Sequence, residues 1–202
     1  MARILDNLEH HSGKWEQFWK KQELLKSSSA KYDDAIRELS NCFAAGVRNT
    51  STKLFDIAIH NLQKWIRTKA GFNEFYVWLA KNKFDTFVLT ASPKEVFRAI
   101  PDFHFAETYG LVLERNHKYT GHCALIMTTS RKKRIVEEIV KNAAFSFGVS
   151  DSIHDLRAYR KLSIKFLLDG TVSDNEEFVA VSTFAQVRRI VERQLKLKRV
   201  TG

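Results

Sequence analysis

Apolar residues recur at helical spacing through residues 12 to 69. Trp15, Phe18 and Trp19 form one stripe. Tyr32, Ile36, Leu39 and Phe43 form a second, and Leu54, Ile57, Ile59, Leu62 and Trp65 a third. The stretch "SSSAKYDD" parts the first two predicted helices, with Ser and Asp available as caps, and "GVRNTST" parts the second and third. Nothing in this half alternates as a strand would. Its Trp and Phe residues are read as core packing rather than as an aromatic binding box.

From residue 70 onward the pattern becomes helix, strand, helix. "FNEFYVWLAKNK" predicts a helix, "FDTFVLTAS" a strand and "PKEVFRAI" a short helix opened by Ser92 and Pro93. "ETYGLVLERNHKYTGHCAL" predicts two strands joined by a polar turn. "SRKKRIVEEIVKNA" is a helix with Ile135, Val136, Ile139 and Val140 on one side. "AFSFGV", "KLSIKFLLDG" and "EFVAV" are strands, and "FAQVRRIVERQLKL" is a closing helix. Such alternation predicts an α/β fold with a mostly parallel sheet covered on both faces. In sheets of that kind, ligands bind at the carboxyl ends of the strands.

At 202 residues the chain is long enough for one sizeable core, and 44% hydrophobic with 28% charged residues is ordinary for a globular protein. No apolar run approaches the roughly 20 residues of a membrane span, and "MARILDNLEHHSGKW" has no apolar signal region. Cys42 and Cys123 lie far apart, outside any metal-ligand spacing, and read as two reduced thiols of a cytoplasmic protein. The net charge of +10 permits an anionic partner, nucleic acid or a phosphorylated substrate. Much of it is spread through "WKKQELLK" and "VRRIVERQLKLKRV", where basic and apolar residues alternate as on a solvated helix face, so nucleic acid is not favoured.

Three polar sites fall at predicted strand ends. Thr90 follows the first strand, Lys132 begins a helix, and Asp151 and Asp155 follow "AFSFGV". A hydroxyl, an ammonium and two carboxylates so placed suit a phosphate held beside a magnesium ion. Hydroxyls and helix N-termini donate to phosphate oxygens, lysine offsets charge, and carboxylates bind the hard cation.

The order "VLTAS … TYGLVLERNHKYTGH … SRKKRIVEEI … FGVSDSIHDL" resembles the haloacid dehalogenase superfamily, in particular its phosphoserine phosphatase-like branch. Thr90 matches that family's second motif, Lys132 its third, and Asp151 with Asp155 its fourth, while "KYTGH" resembles the turn between the second and third. Lys132 is preferred over Lys133 because Ile135, Val136, Ile139 and Val140 then fit the family helix. The resemblance implies a three-layer Rossmann-like core formed by residues 1–11 and 70–202, with an inserted all-helical cap over 12–69. It also implies hydrolysis of a small phosphomonoester with Mg2+. Thr90, Ser92 and Lys132 would hold the phosphate, and Asp151 and Asp155 the metal.

The family's first motif ends a strand in "DxDGT", with a nucleophilic aspartate and a second aspartate as general acid and base. "ARILDNLEH" offers only Asp6, after a very short strand, with Leu8 at the second position. "KFLLDGTV" keeps Asp169, Gly170 and Thr171 but has Leu167 where a nucleophile would stand, and reads as a strand and turn. His10, His11, His104, His117, His122 and His154 share no ligand spacing. Two functions follow: a magnesium-dependent phosphatase with Asp6 as nucleophile, or a catalytically inactive descendant. The second would use the pocket or the basic surface to bind a phosphorylated ligand, nucleic acid or protein.

Overall fold

The structure is a computed structural model that describes residues 1, 4, 8, 32–62, 68–100, 103–170 and 177–201. Within it the chain divides into two compact units, Met1–Arg67 with Asp85–Thr128, and Thr68–Phe84 with Thr129–Gly202.

The first unit begins, among described elements, with helix α1 (Tyr32–Gly46). Its residues Ile36, Leu39, Phe43 and Ala44 recur every three or four positions and are buried. Helix α2 (Thr52–Asn61) starts at Ser51, whose hydroxyl accepts the Leu54 N–H at 3.2 Å and so satisfies one orphan donor. Here the expected stripe is displaced. Leu54 and Ile57 are exposed, whereas Phe55, Ala58 and Ile59 of α2 and the following Leu62 are buried. "LFDIAIHNL" holds two overlapping apolar stripes, and the one carrying the large Phe55 ring turns inward. That ring lies 6.4 Å from Phe43 and 4.7 Å from Tyr119, centroid to centroid.

Strand β1 (Phe87–Pro93) pairs in parallel with β2 (Glu107–Asn116), a 3-10 helix (Lys94–Ala99) between them, and β2 pairs antiparallel with β3 (Lys118–Leu125). The β2–β3 turn is made by His117 at φ 61. Leu111, Leu113 and Tyr119 join α1 and α2 in one core that also takes in Ile4 and Leu8. Ile4 is helical, its N–H donating to the Met1 carbonyl at 3.0 Å, a local turn bond where the sequence reading expects a short strand. Asp6, Trp15, Phe18, Trp19 and Trp65 lie outside the described residues.

The second unit holds α3 (Phe72–Lys81), α4 (Thr129–Ile139), β4 (Phe147–Ser150), α5 (Ile153–Ala158), β5 (Ile164–Leu168), β6 (Val179–Val181) and α6 (Phe184–Thr201). Its sheet is wholly parallel in the order β4-β5-β6. Phe166 and Leu168 point to one face of β5 and pack in one cluster with Phe75, Trp78 and Leu79 of α3 and Phe184, Val187 and Val191 of α6. Phe147 sits 6.1 Å from Phe166 and 5.6 Å from Phe84, which extends the cluster along the sheet. Asp169 takes φ 58 immediately after β5, so "LLD" is the end of a strand and the start of a turn.

The architecture is α/β with mainly parallel pairing. Its described strands form two three-stranded sheets rather than one. Among the described residues no helix is long and apolar enough to cross a membrane.

Candidate functional site at the end of strand β4

Strand β4 is short because Ser150 ends it. The Ser150 hydroxyl accepts the Ser152 N–H at 3.1 Å and turns the backbone out of the sheet. Ser152 keeps extended angles (φ −116, ψ 119) and α5 opens at Ile153. Asp151 therefore lies in the turn and is exposed, while Asp155 falls in the first turn of α5, where a carboxylate meets the positive end of the helix. Leu156, fully buried, anchors α5. Gly148 allows the returning chain to lie close: a Cβ there would stand 2.6 Å from the Leu162 side chain.

Lys132 enters from α4. It shares the inward face of that helix with Val136, one turn on, and both are buried, whereas Lys133 is exposed and lies 3.9 Å from Glu137. The Lys132 ammonium donates to Asp155 Oδ2 at 2.7 Å, with the two side chains 5% and 14% exposed. A lysine so buried needs a charged or strongly polar partner, because desolvating an unpaired ammonium is costly. Asp155 supplies it. The other carboxylate oxygen, Oδ1, is buried without a hydrogen-bond partner.

The arrangement has donors and acceptors left for a ligand. An ammonium carries three donors, of which Asp155 uses one, and the carboxylate keeps the lone pairs of Oδ1. Among the described residues no group of three His, Cys, Asp or Glu side chains gathers as a metal cluster. The carboxylates that stand near a cation placed here would be Asp151 and Asp155. One or two carboxylates is what magnesium commonly takes when waters and phosphate oxygens complete its octahedron.

Of the residues singled out in the sequence, Lys132 and Asp155 are in direct contact, and Asp151 stands four residues from Asp155 at the end of the same strand. Thr90 and Ser92 belong to the first unit. There the Thr90 hydroxyl accepts the Ser92 N–H at 3.1 Å within β1, the same side-chain-to-backbone bond that Ser150 makes to Ser152 beyond β4. Gly110 of β2 lets the end of β1 approach, since a Cβ would stand 2.8 Å from the Ser92 carbonyl oxygen and 2.9 Å from the Lys94 nitrogen. Sequence reasoning passed over Ser150 and Gly110. The available signal was a serine two residues before another serine at a strand end, a pattern that Thr90 and Ser92 repeat.

No protein-family model matches the chain, and no curated protein matches it in sequence. Solved structures do match. A substrate-bound phosphoserine phosphatase complex superimposes with a TM-score of 0.67 at 16% identity, covering 94% of this chain and 90% of that one. A cytosolic 5'-nucleotidase IIIB bound to cytidine gives 0.65 at 15% identity, covering 98% and 80%. A phospho-aspartyl intermediate analogue of phosphoserine phosphatase gives 0.61 at 16% identity, covering 82% and 78%. These neighbours share the architecture of the chain. The chain has the fold of the phosphoserine phosphatase-like branch of the haloacid dehalogenase superfamily.

Proposed function

We propose that this chain binds a small phosphomonoester together with Mg2+ at the end of β4, and that it hydrolyses such esters weakly or not at all. The observation that carries the reading is the buried Lys132–Asp155 pair beside the exposed Asp151. Lys132 would offer its remaining donors to phosphate oxygens, with the N-terminal amides of α4 adding to the positive field. Asp151 would ligate the cation, and Asp155 would hold Lys132 in place through their ion pair. When bound, the magnesium ion supplies charge neutralisation at the phosphate. The helical-cap role of residues 12–69 and a cytoplasmic location are parts of the same proposal.

The low expected turnover rests on Leu8. It stands two residues after Asp6, where the resemblance calls for a general acid, and it is 1% exposed within the apolar core of the first unit. A positioned general acid typically contributes about 100- to 10,000-fold. Leucine has no proton to give.

The second reading, a working phosphatase with Asp6 attacking phosphorus, is favoured by the retention of Lys132, Asp151 and Asp155 together. Phosphate release from a panel of phosphomonoesters with magnesium separates the two, comparing the protein with Asp6→Asn and Asp151→Asn. The binding reading expects release at the level of a no-protein control in all three. Robust release that both substitutions abolish assigns the protein to the phosphatases with Asp6 as nucleophile.

A further inference from the structure

Helix α6 carries six basic residues against one acid, which is half of the chain's net charge of +10. The one acid, Glu192, is taken by Arg188 at 2.8 Å, and the Arg188 guanidinium also lies 5.7 Å from the centre of the Trp78 ring. Arg188 is thereby part of the unit's own packing. Arg189, Arg193 and Lys196 are not. All three are exposed, and among the described residues none of them pairs with an acid.

Their placement is orderly. At 3.6 residues per turn, positions 189, 193 and 196 fall within an arc of about 60° and over about 10 Å of helix axis. Val187 and Val191, both fully buried, lie on the opposite side of the helix. The apolar face holds α6 to the sheet, and the face turned directly away from it, read from the sequence as merely solvated, is a row of three exposed cations, of which only Lys196 feels the Glu192 carboxylate one turn away.

We propose that this row is a docking surface for the phosphate backbone of a nucleic acid, engaged without base readout. Duplex DNA presents one negative charge per about 1.7 Å of axis, so a cation row about 10 Å long meets several phosphates at once. An anionic membrane is the poorer fit. Surface helices that bind bilayers insert an apolar face beside the basic one, whereas Phe184, Val187 and Val191 are committed to the core and, among the described side chains of α6, Leu197 is the one large apolar residue that is exposed. The row consists of charged side chains placed to meet phosphates, so the expected binding is non-specific.

The test is fluorescence anisotropy with a labelled, random-sequence duplex of about 20 base pairs, titrated with the full chain between about 50 and about 200 mM salt. The expected log–log salt slope is about −2 to −3, equivalent to a loss of some 20- to 60-fold over that range. The triple variant R189E/R193E/K196E should weaken binding at least tenfold. The variant K53E/K118E/K141E, with the same change of net charge at other exposed lysines, should stay within about twofold of the parent. Circular dichroism and melting confirm that each variant is folded, and R189Q/R193Q/K196Q substitutes if the charge reversals fail that check. Equal losses in both triple variants would overturn the proposal, because net charge alone would then account for binding. So would no binding by the parent, or binding to phosphatidylserine vesicles without binding to the duplex.

Discussion

Lys132 and Asp155, brought together from α4 and α5, form an ion pair at 2.7 Å with 5% and 14% of their side chains exposed. Such a pair is strongly destabilising to break from one side, because the remaining charge stays buried without its partner. Lys132→Met or Asp155→Asn alone should each lower the unfolding free energy by about 3–5 kcal/mol, measured by urea denaturation. The double variant Lys132→Met with Asp155→Leu should recover most of that loss. A single variant as stable as the parent would mean that the pair is held by solvent rather than by the fold.

The close approach of the end of β1 to β2 depends on Gly110. With a Cβ 2.8 Å from the Ser92 carbonyl oxygen and 2.9 Å from the Lys94 nitrogen, Gly110→Ala forces backbone against backbone, where no flexible side chain can yield. The expected cost is about 1–3 kcal/mol, typical of overpacking. Thermal melting of Gly110→Ala beside Gly121→Ala, where the neighbour is the long Arg48 side chain but φ is +90, would separate crowding from backbone strain.

Cys123 reports on the first unit. Its thiol lies 3.3 Å from the Ser40 carbonyl oxygen as a donor, and burial pushes its pKa up to about 11. The folded protein therefore keeps this proton at pH values where the unfolded chain has lost it. The resulting stability is full below the ordinary thiol range and falls as pH rises toward about 11. Alkylation by iodoacetamide at pH 8, followed by peptide mass spectrometry, should leave Cys123 unmodified in the folded state and modify it readily in urea. Rapid labelling of Cys123 in the folded protein would contradict its half-buried setting and raised pKa.

The elements after residue 70 were legible in the sequence because each short apolar run there is bounded by Gly, Ser, Asn or Asp. β2, β3, β5 and β6 fall inside the expected segments, and β1 and β4 each run one residue past theirs, to Pro93 and Ser150. The pairing between strands was less legible. Whether strands join into one sheet or two depends on contacts across dozens of residues, and the local pattern of "VLTAS" or "FGVS" carries no record of them. The inward face of α2 failed for a related reason. Leu54 and Ile57 are as apolar as Ala58 and Ile59, and only the aromatic contacts with Phe43 and Tyr119 decide which side is buried. At the candidate site the sequence pointed to Lys132, Asp151 and Asp155. That Asp155 is committed to Lys132 while Asp151 faces solvent is a matter of three-dimensional placement.

The central claim is that Asp151 and Lys132 hold a cation and a phosphate together, and linked stability tests it without depending on turnover. A ligand that binds only the folded state adds about 2.7 kcal/mol when present at 100 times its dissociation constant. The melting temperature is measured for the parent, Asp151→Asn and Lys132→Met with magnesium alone, inorganic phosphate alone, and both. The account predicts that both together raise the parent's melting temperature by more than the separate shifts combined, and that this excess vanishes in Asp151→Asn and Lys132→Met while each variant still melts cooperatively. An excess that survives unchanged in Asp151→Asn, or a parent that responds to neither ligand, would contradict it.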